Sequence, residues 1–154
     1  MANIVGEASV SIDRPSEVVW DWLVDPANMH LWVKDVDDPG RWIDDGEATV
    51  GSRYRILYKY GRKPNEIVFE VKTADRGKWF EVDTVSGPYP ILVNYGFVGS
   101  ENGDSTELTI NMNARSDSKF TAVLFVATGW FAKWFMNRRL QSELQAVKRE
   151  VEAI

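Results

Sequence analysis

Between Arg53 and Ala114 the chain repeats one pattern: apolar residues at every second position, broken by short polar turns. Tyr54, Ile56, Tyr58 and Tyr60 alternate with Arg53, Arg55 and Lys59. Ile67, Phe69 and Val71 alternate with Glu66, Glu70 and Lys72, and Phe80, Val82 and Thr84 with Glu81 and Asp83. Leu108, Ile110, Met112 and Ala114 alternate with Glu107, Thr109, Asn111 and Asn113. Between these last two, ILVNYGFVG is a more continuously apolar fifth segment, with Val93, Tyr95 and Phe97 on one side and Asn94 on the other. A period of two sends successive side chains to opposite faces of a strand. The connections (RKPN, DRGK, ENGD) are too short for crossovers, so the strands are antiparallel neighbours. Such a sheet has one polar face and one apolar face that must be covered. Only one element is long enough to cover it: a C-terminal helix from about Ser118 to Glu152.

The N-terminal third supplies smaller pieces. IVGEASVSID, residues 4–13, alternates and stops at Arg14-Pro15, which predicts a first strand. PSEVVWDWLVD follows, with Pro15 suited to a first helical turn and Glu17 favoured by the helix dipole. Val18, Val19, Trp22 and Leu23 share one face at helical spacing, and Asp25-Pro26 ends the run. PANMHLW predicts a second short helix closing on Trp32. Val33 to Val50 is acidic and turn-rich, a surface loop or irregular strand. With no repeat or linker, the 154 residues read as one domain, 1–154, of α+β class.

Composition excludes several chemistries. There is no Cys, hence no disulfide, thiolate nucleophile or cysteine metal site. A single His, His30, rules out multi-His zinc or iron sites. No G-x-S-x-G or phosphate-cradling glycine motif is present. The acidic loop Asp35, Asp37, Asp38, Asp44, Asp45, Glu47 fails as a calcium loop, because Pro39 and Gly46 stand where ligands are needed. No metal and no cofactor are expected. The net charge of -5 argues against nucleic acid, which needs a basic footprint. MANIVGEASVSIDRP lacks the basic and apolar regions of a secretory signal, which with the absence of Cys suggests a cytoplasmic protein.

Three stretches carry a resemblance. They are SIDRPSEVVWDWLVDPANMHLW, with Pro15, Val19, Trp20, Leu23, Asp25-Pro26 and Trp32; TVGSRYRI, where Gly51 precedes a strand; and GDSTELTINMNAR before the terminal helix. In these the chain resembles the START-like (SRPBCC) helix-grip superfamily, in its polyketide cyclase/dehydrase and lipid transport branch. The resemblance covers essentially the whole chain. It implies a curved antiparallel sheet wrapped around the long C-terminal helix, with two short helices after the first strand and a cavity between sheet and helix. Members bind lipids, sterols, polyketides or plant hormones, and a few catalyse cyclisation or aromatisation.

The cavity lining is then read from the alternation. Tyr54, Tyr58, Phe69, Val82, Tyr95 and Met112 fall on the apolar face, with Trp32 at the end of the short helices. The GKWFEVDTVSGPYP turn, around Pro88 to Pro90, reads as a plain turn or as a gate at the cavity mouth. In the long helix, at about 100° per residue, Leu140, Leu144, Val147 and Val151 form a stripe. Traced backwards it passes Met136, Lys133, Gly129, Val126 and Ala122. If the helix is unbroken, Ala122, Val126 and Gly129 leave room for a ligand and Lys133 stands at the cavity wall. If Gly129 breaks it, the phase resets and Lys133 reaches solvent. Leu124, Phe131, Trp134 and Phe135 form an apolar patch on the other side, of the kind that marks a homodimer or peripheral membrane contact. A spanning helix is disfavoured: the apolar run is about seventeen residues with Lys133 inside it, short of the usual ~20.

The leading expectation is a protein that binds a small hydrophobic ligand (lipid, sterol or polyketide-like) between sheet and helix. The first alternative is a polyketide cyclase/aromatase-type enzyme using the same cavity through Tyr, Lys and water. The second is an interaction module that uses the aromatic helix face.

Overall fold

The alternating segments become strands β1 (Ala2–Ile12), β2 (Arg41–Trp42), β3 (Arg53–Tyr60), β4 (Lys63–Asp75), β5 (Trp79–Ser86), β6 (Ile91–Gly99) and β7 (Thr106–Ser116). A helix α1 (Ser16–Leu23) and a 3-10 helix (Pro26–Leu31) follow β1, and helix α2 (Lys119–Glu152) closes the chain. The computed structural model describes residues 2–44, 46–60, 63–87, 90–116 and 119–154; side chains at 2–4, 60, 115–116 and 119–132 are outside that description. The strands form one antiparallel sheet in the order β1-β7-β6-β5-β4-β3-β2. The first strand therefore pairs with the last, and β3 to β7 form the meander that the short connections predict. This is the helix-grip α+β fold.

The register makes layers of the inner face. Gly6, Met112, Val93 and Val82 stand in one row, and Ala8, Ile110, Tyr95 and Phe80 in the next. Bulges in β4, between Val68/Phe69 and Val71/Thr73, bend the sheet inward. α1 packs over the far end of the layers, burying Val19, Trp20 and Leu23. The expected face included Trp22, but Trp20 is the core residue and Trp22 is only partly buried. The Trp20 ring meets Phe80 edge-on at 5.3 Å and Phe97 at 5.3 Å, an arrangement that favours aromatic pairs. The acidic stretch after Trp32 is not loop throughout: Val36 bridges to Tyr58, and β2 pairs with β3.

α2 runs along β1 in the same direction. Its stripe Leu140, Leu144, Val147 and Val151 is buried, as the spacing predicts. Its flank meets the free edge of β1, whose unpaired backbone groups need partners. Asn137 Oδ1 accepts from Glu7 N at 2.8 Å, Gln141 Nε2 donates to Ser9 O at 3.0 Å, and Lys148 Nζ donates to Ser11 O at 2.6 Å. Glu152 Oε2 accepts from Asp13 N at 2.8 Å. Gly6 permits the approach: a Cβ there would stand 2.6 Å from Met136 Cγ.

Candidate functional site

On the opposite side of its buried stripe from these edge contacts, α2 turns two charged residues toward the interior. Leu140, Glu143, Leu144 and Val147 follow helical i, i+3, i+4, i+7 spacing, so Glu143 shares the buried face. Glu143 is only 8% exposed. Burial pushes its pKa up, and Arg139, one turn earlier, opposes that only in part. Arg139 Nε donates to Glu143 Oε1 at 3.3 Å, and the Lys34 backbone N–H donates to Oε2 at 3.3 Å.

Arg139 ties three elements together. Its Nη2 donates to Lys34 O at 2.9 Å, to Asp35 Oδ2 at 3.2 Å and to Tyr58 Oη at 2.6 Å. The guanidinium also lies 5.7 Å from the Tyr58 ring centroid. Asp35 adopts a left-handed φ of 69°, a region that Asp enters more readily than most residues. That turn lets Asp35 O accept from Lys59 N at 2.8 Å while its carboxylate faces Arg139. Residues 33–36 thus form a strap from α2 to β3.

Inside the strap lie phenols and an indole. Tyr54 and Tyr95 are buried, and burial raises both hydroxyl pKa values, so both remain protonated phenols. Glu143 adds to the rise at Tyr95, and Tyr95 to that at Tyr54. Tyr54 stacks on Phe69 at 5.3 Å. Trp32 meets Tyr95 edge-on at 6.3 Å, and its buried Nε1–H has no acceptor among the described residues. Chemically this is an apolar, aromatic interior bordered by the charged and phenolic groups of the strap.

A sequence model of the family described as polyketide cyclase / dehydrase and lipid transport matches residues 4–152. The chain belongs to this family. Solved structures share its fold. TTHA0849 from Thermus thermophilus is 16% identical, with a TM-score of 0.74 over 97% of both chains. Zhui aromatase/cyclase from Streptomyces sp. R1128 is 14% identical, with a TM-score of 0.71 over 97% of this chain and 94% of that one. A START superfamily protein from Mycobacterium smegmatis is 13% identical, with a TM-score of 0.67 over 97% of both chains. Identities this low speak for fold and not for ligand. No curated protein matches the chain.

For this family member, most of the expected lining gathers in one place. Trp32, Tyr54, Phe69, Val82 and Tyr95 are buried and Tyr58 and Met112 partly so, all against one core. Val82 is fully enclosed. Lys133 requires a correction: it is exposed, not at an interior wall. Burial fades along the stripe from Leu144 through Leu140 to a partly buried Met136, and Lys133 lies one turn beyond. An ammonium there is better hydrated than buried. Gly129 does not break α2, which is continuous through it. The side chains of Ala122, Val126, Leu124 and Phe131 lie outside the described residues, as do Pro88 and Tyr89 of the suggested gate. Trp134 and Phe135 are exposed, with the Arg138 guanidinium 5.1 Å from the Trp134 ring centroid. Among the described residues no cluster of acidic or histidine groups could hold a metal ion, and no helix is long and apolar enough to cross a membrane.

Sequence reasoning missed Arg139 and Glu143, the two charges that do face inward. The signal was present: Glu143 interrupts an apolar stripe at a core position, and an Arg precedes it by four residues.

Proposed function

We propose that this family member binds one small, largely apolar molecule between the inner face of the sheet and α2. The observation that carries this reading is the set of interior hydroxyls on Tyr54 and Tyr95. Both side chains are buried, yet neither oxygen has a partner among the described residues and neither is sealed off, so each opens on space that a ligand or water can fill. Family membership supports the same reading. The test is titration with a fluorescent fatty-acid analogue, competed by unlabelled fatty acid or sterol, alongside native mass spectrometry for a retained molecule. Binding is expected to be saturable at one molecule per chain and to weaken in Tyr95→Phe and Tyr54→Phe. Non-saturable uptake, or affinity unchanged in both variants, overturns the placement.

A second reading, a cyclase or aromatase in the same space, is favoured by Glu143. A carboxyl whose pKa is raised by burial keeps its proton closer to neutral pH and suits a general acid. On this reading Glu143→Gln abolishes turnover of a linear polyketide substrate while binding persists. Turnover that survives the substitution removes it.

A further inference from the structure

The polar end of the interior is unbalanced between donors and acceptors. Most of its acceptor oxygens are engaged, and Asp35 Oδ1 is left without a partner among the described residues. Glu143 Oε1 takes Arg139 Nε, Glu143 Oε2 takes the Lys34 N–H, and Lys34 O and Asp35 Oδ2 take Arg139 Nη2. Its donors are in surplus. Tyr58 Oη receives a hydrogen bond from Arg139, so its own O–H points elsewhere, and no acceptor for it exists among the described residues. The N–H groups of Arg139 Nη1 have no partner among the described residues either. The Trp32 Nε1–H is buried without one, in a side chain only 6% exposed. Trp and Arg can donate but cannot accept. What would complete this end is therefore an oxygen with lone pairs and no competing proton.

We infer that the molecule bound between sheet and α2 presents an acceptor oxygen, a carboxylate or carbonyl, to Arg139, Tyr58 and Trp32, and that this end favours such a head over a cationic or donor-only one. The inference rests on the ligand-binding reading above and adds the chemistry of the ligand's polar end. Two carboxylates already beside Arg139 do not oppose it. Glu143 is held toward its neutral form by burial, and Asp35 is half exposed to water, which screens it. A donor-only head would find only Asp35 Oδ1 or acceptors already in use, and would leave the donors of Arg139, Tyr58 and Trp32 unpaired.

The test is isothermal titration of the intact protein with four molecules that share one chain: dodecanoate, methyl dodecanoate, dodecanol and dodecylamine. Dodecanoate is expected to bind tightest, the ester next, then the alcohol, with the amine weakest. In Arg139→Met the preference for acid over alcohol is expected to fall about tenfold or more, the size of a lost hydrogen bond to a charged group. Tyr58→Phe is expected to reduce the preference for the ester over the alcohol and to leave amine binding unchanged. Circular dichroism checks that both variants fold, and the wild-type head-group order stands as a test without them. An amine or alcohol that binds as tightly as the acid overturns the inference while leaving the apolar site standing. Failure of all four to bind removes the ligand-binding reading and this inference together.

Discussion

The two sides of α2 hold the sheet in different ways. From Leu140 to Val151 the helix buries an apolar stripe, and its flank donates to or accepts from the free edge of β1 at four places. Apolar area and polar partners are both matched there. Around Arg139 and Glu143 the helix meets the far side of the sheet through the 33–36 strap and through Tyr58 of β3, by way of charges, a phenol and an indole with donors left over. The matched side is built to persist. The unmatched side carries donors left over after its own contacts are made, which is why the ligand site is proposed there.

That contrast can be broken or sharpened by substitution. The largest effect is expected on the matched side. Leu144 is fully buried, so Leu144→Ala should destabilise the fold by about 2–5 kcal/mol, read as a lower urea midpoint at constant slope. A loss under about 1 kcal/mol, nearer the range of a surface change, would mean that the stripe is not closely packed. Next, Gly6→Ala places a Cβ 2.6 Å from Met136 Cγ and Sδ and 3.0 Å from Leu140 Cδ1. It should cost about 1–3 kcal/mol by overpacking. The double substitution Gly6→Ala with Met136→Ala should recover part of it, and strict additivity in that cycle would argue against a direct contact.

The smallest effect is expected on the unmatched side, and it depends on pH. The folded pKa of Glu143 lies above its unfolded value. Its stabilising contribution is thus complete below the ordinary carboxyl pKa and is lost as pH rises through the raised folded value. The difference between thermal melts of wild type and Glu143→Gln should therefore change as pH rises above the ordinary carboxyl pKa, with the wild type losing ground to the variant. A difference that is constant, or in which the wild type gains on the variant as pH rises, would show that the Arg139 pairing matches or outweighs burial.

Much of this was legible in residue order. Alternation placed Tyr54, Ile56, Phe69, Val82, Tyr95 and Ile110 on the covered face, because a period of two leaves no other arrangement once one face is apolar. Helical spacing found Leu140, Leu144, Val147 and Val151 for the same reason. The charged positions were not legible in this way. Lys133 and Glu143 both fall near that stripe, and spacing treats them alike. They part in the fold, where Lys133 lies beyond the buried part of the stripe and Glu143 lies under the strap with Arg139 beside it.

The sequence by itself determined β1, the antiparallel meander of β3 to β7 and the covering helix, since each follows from local periodicity and short connections, and the resemblance of three stretches pointed to the family. The tertiary structure alone decided which charge faces inward. That choice depends on whether a buried ion finds partners, and the partners of Glu143 and Arg139 (Lys34, Asp35 and Tyr58) come from distant parts of the chain.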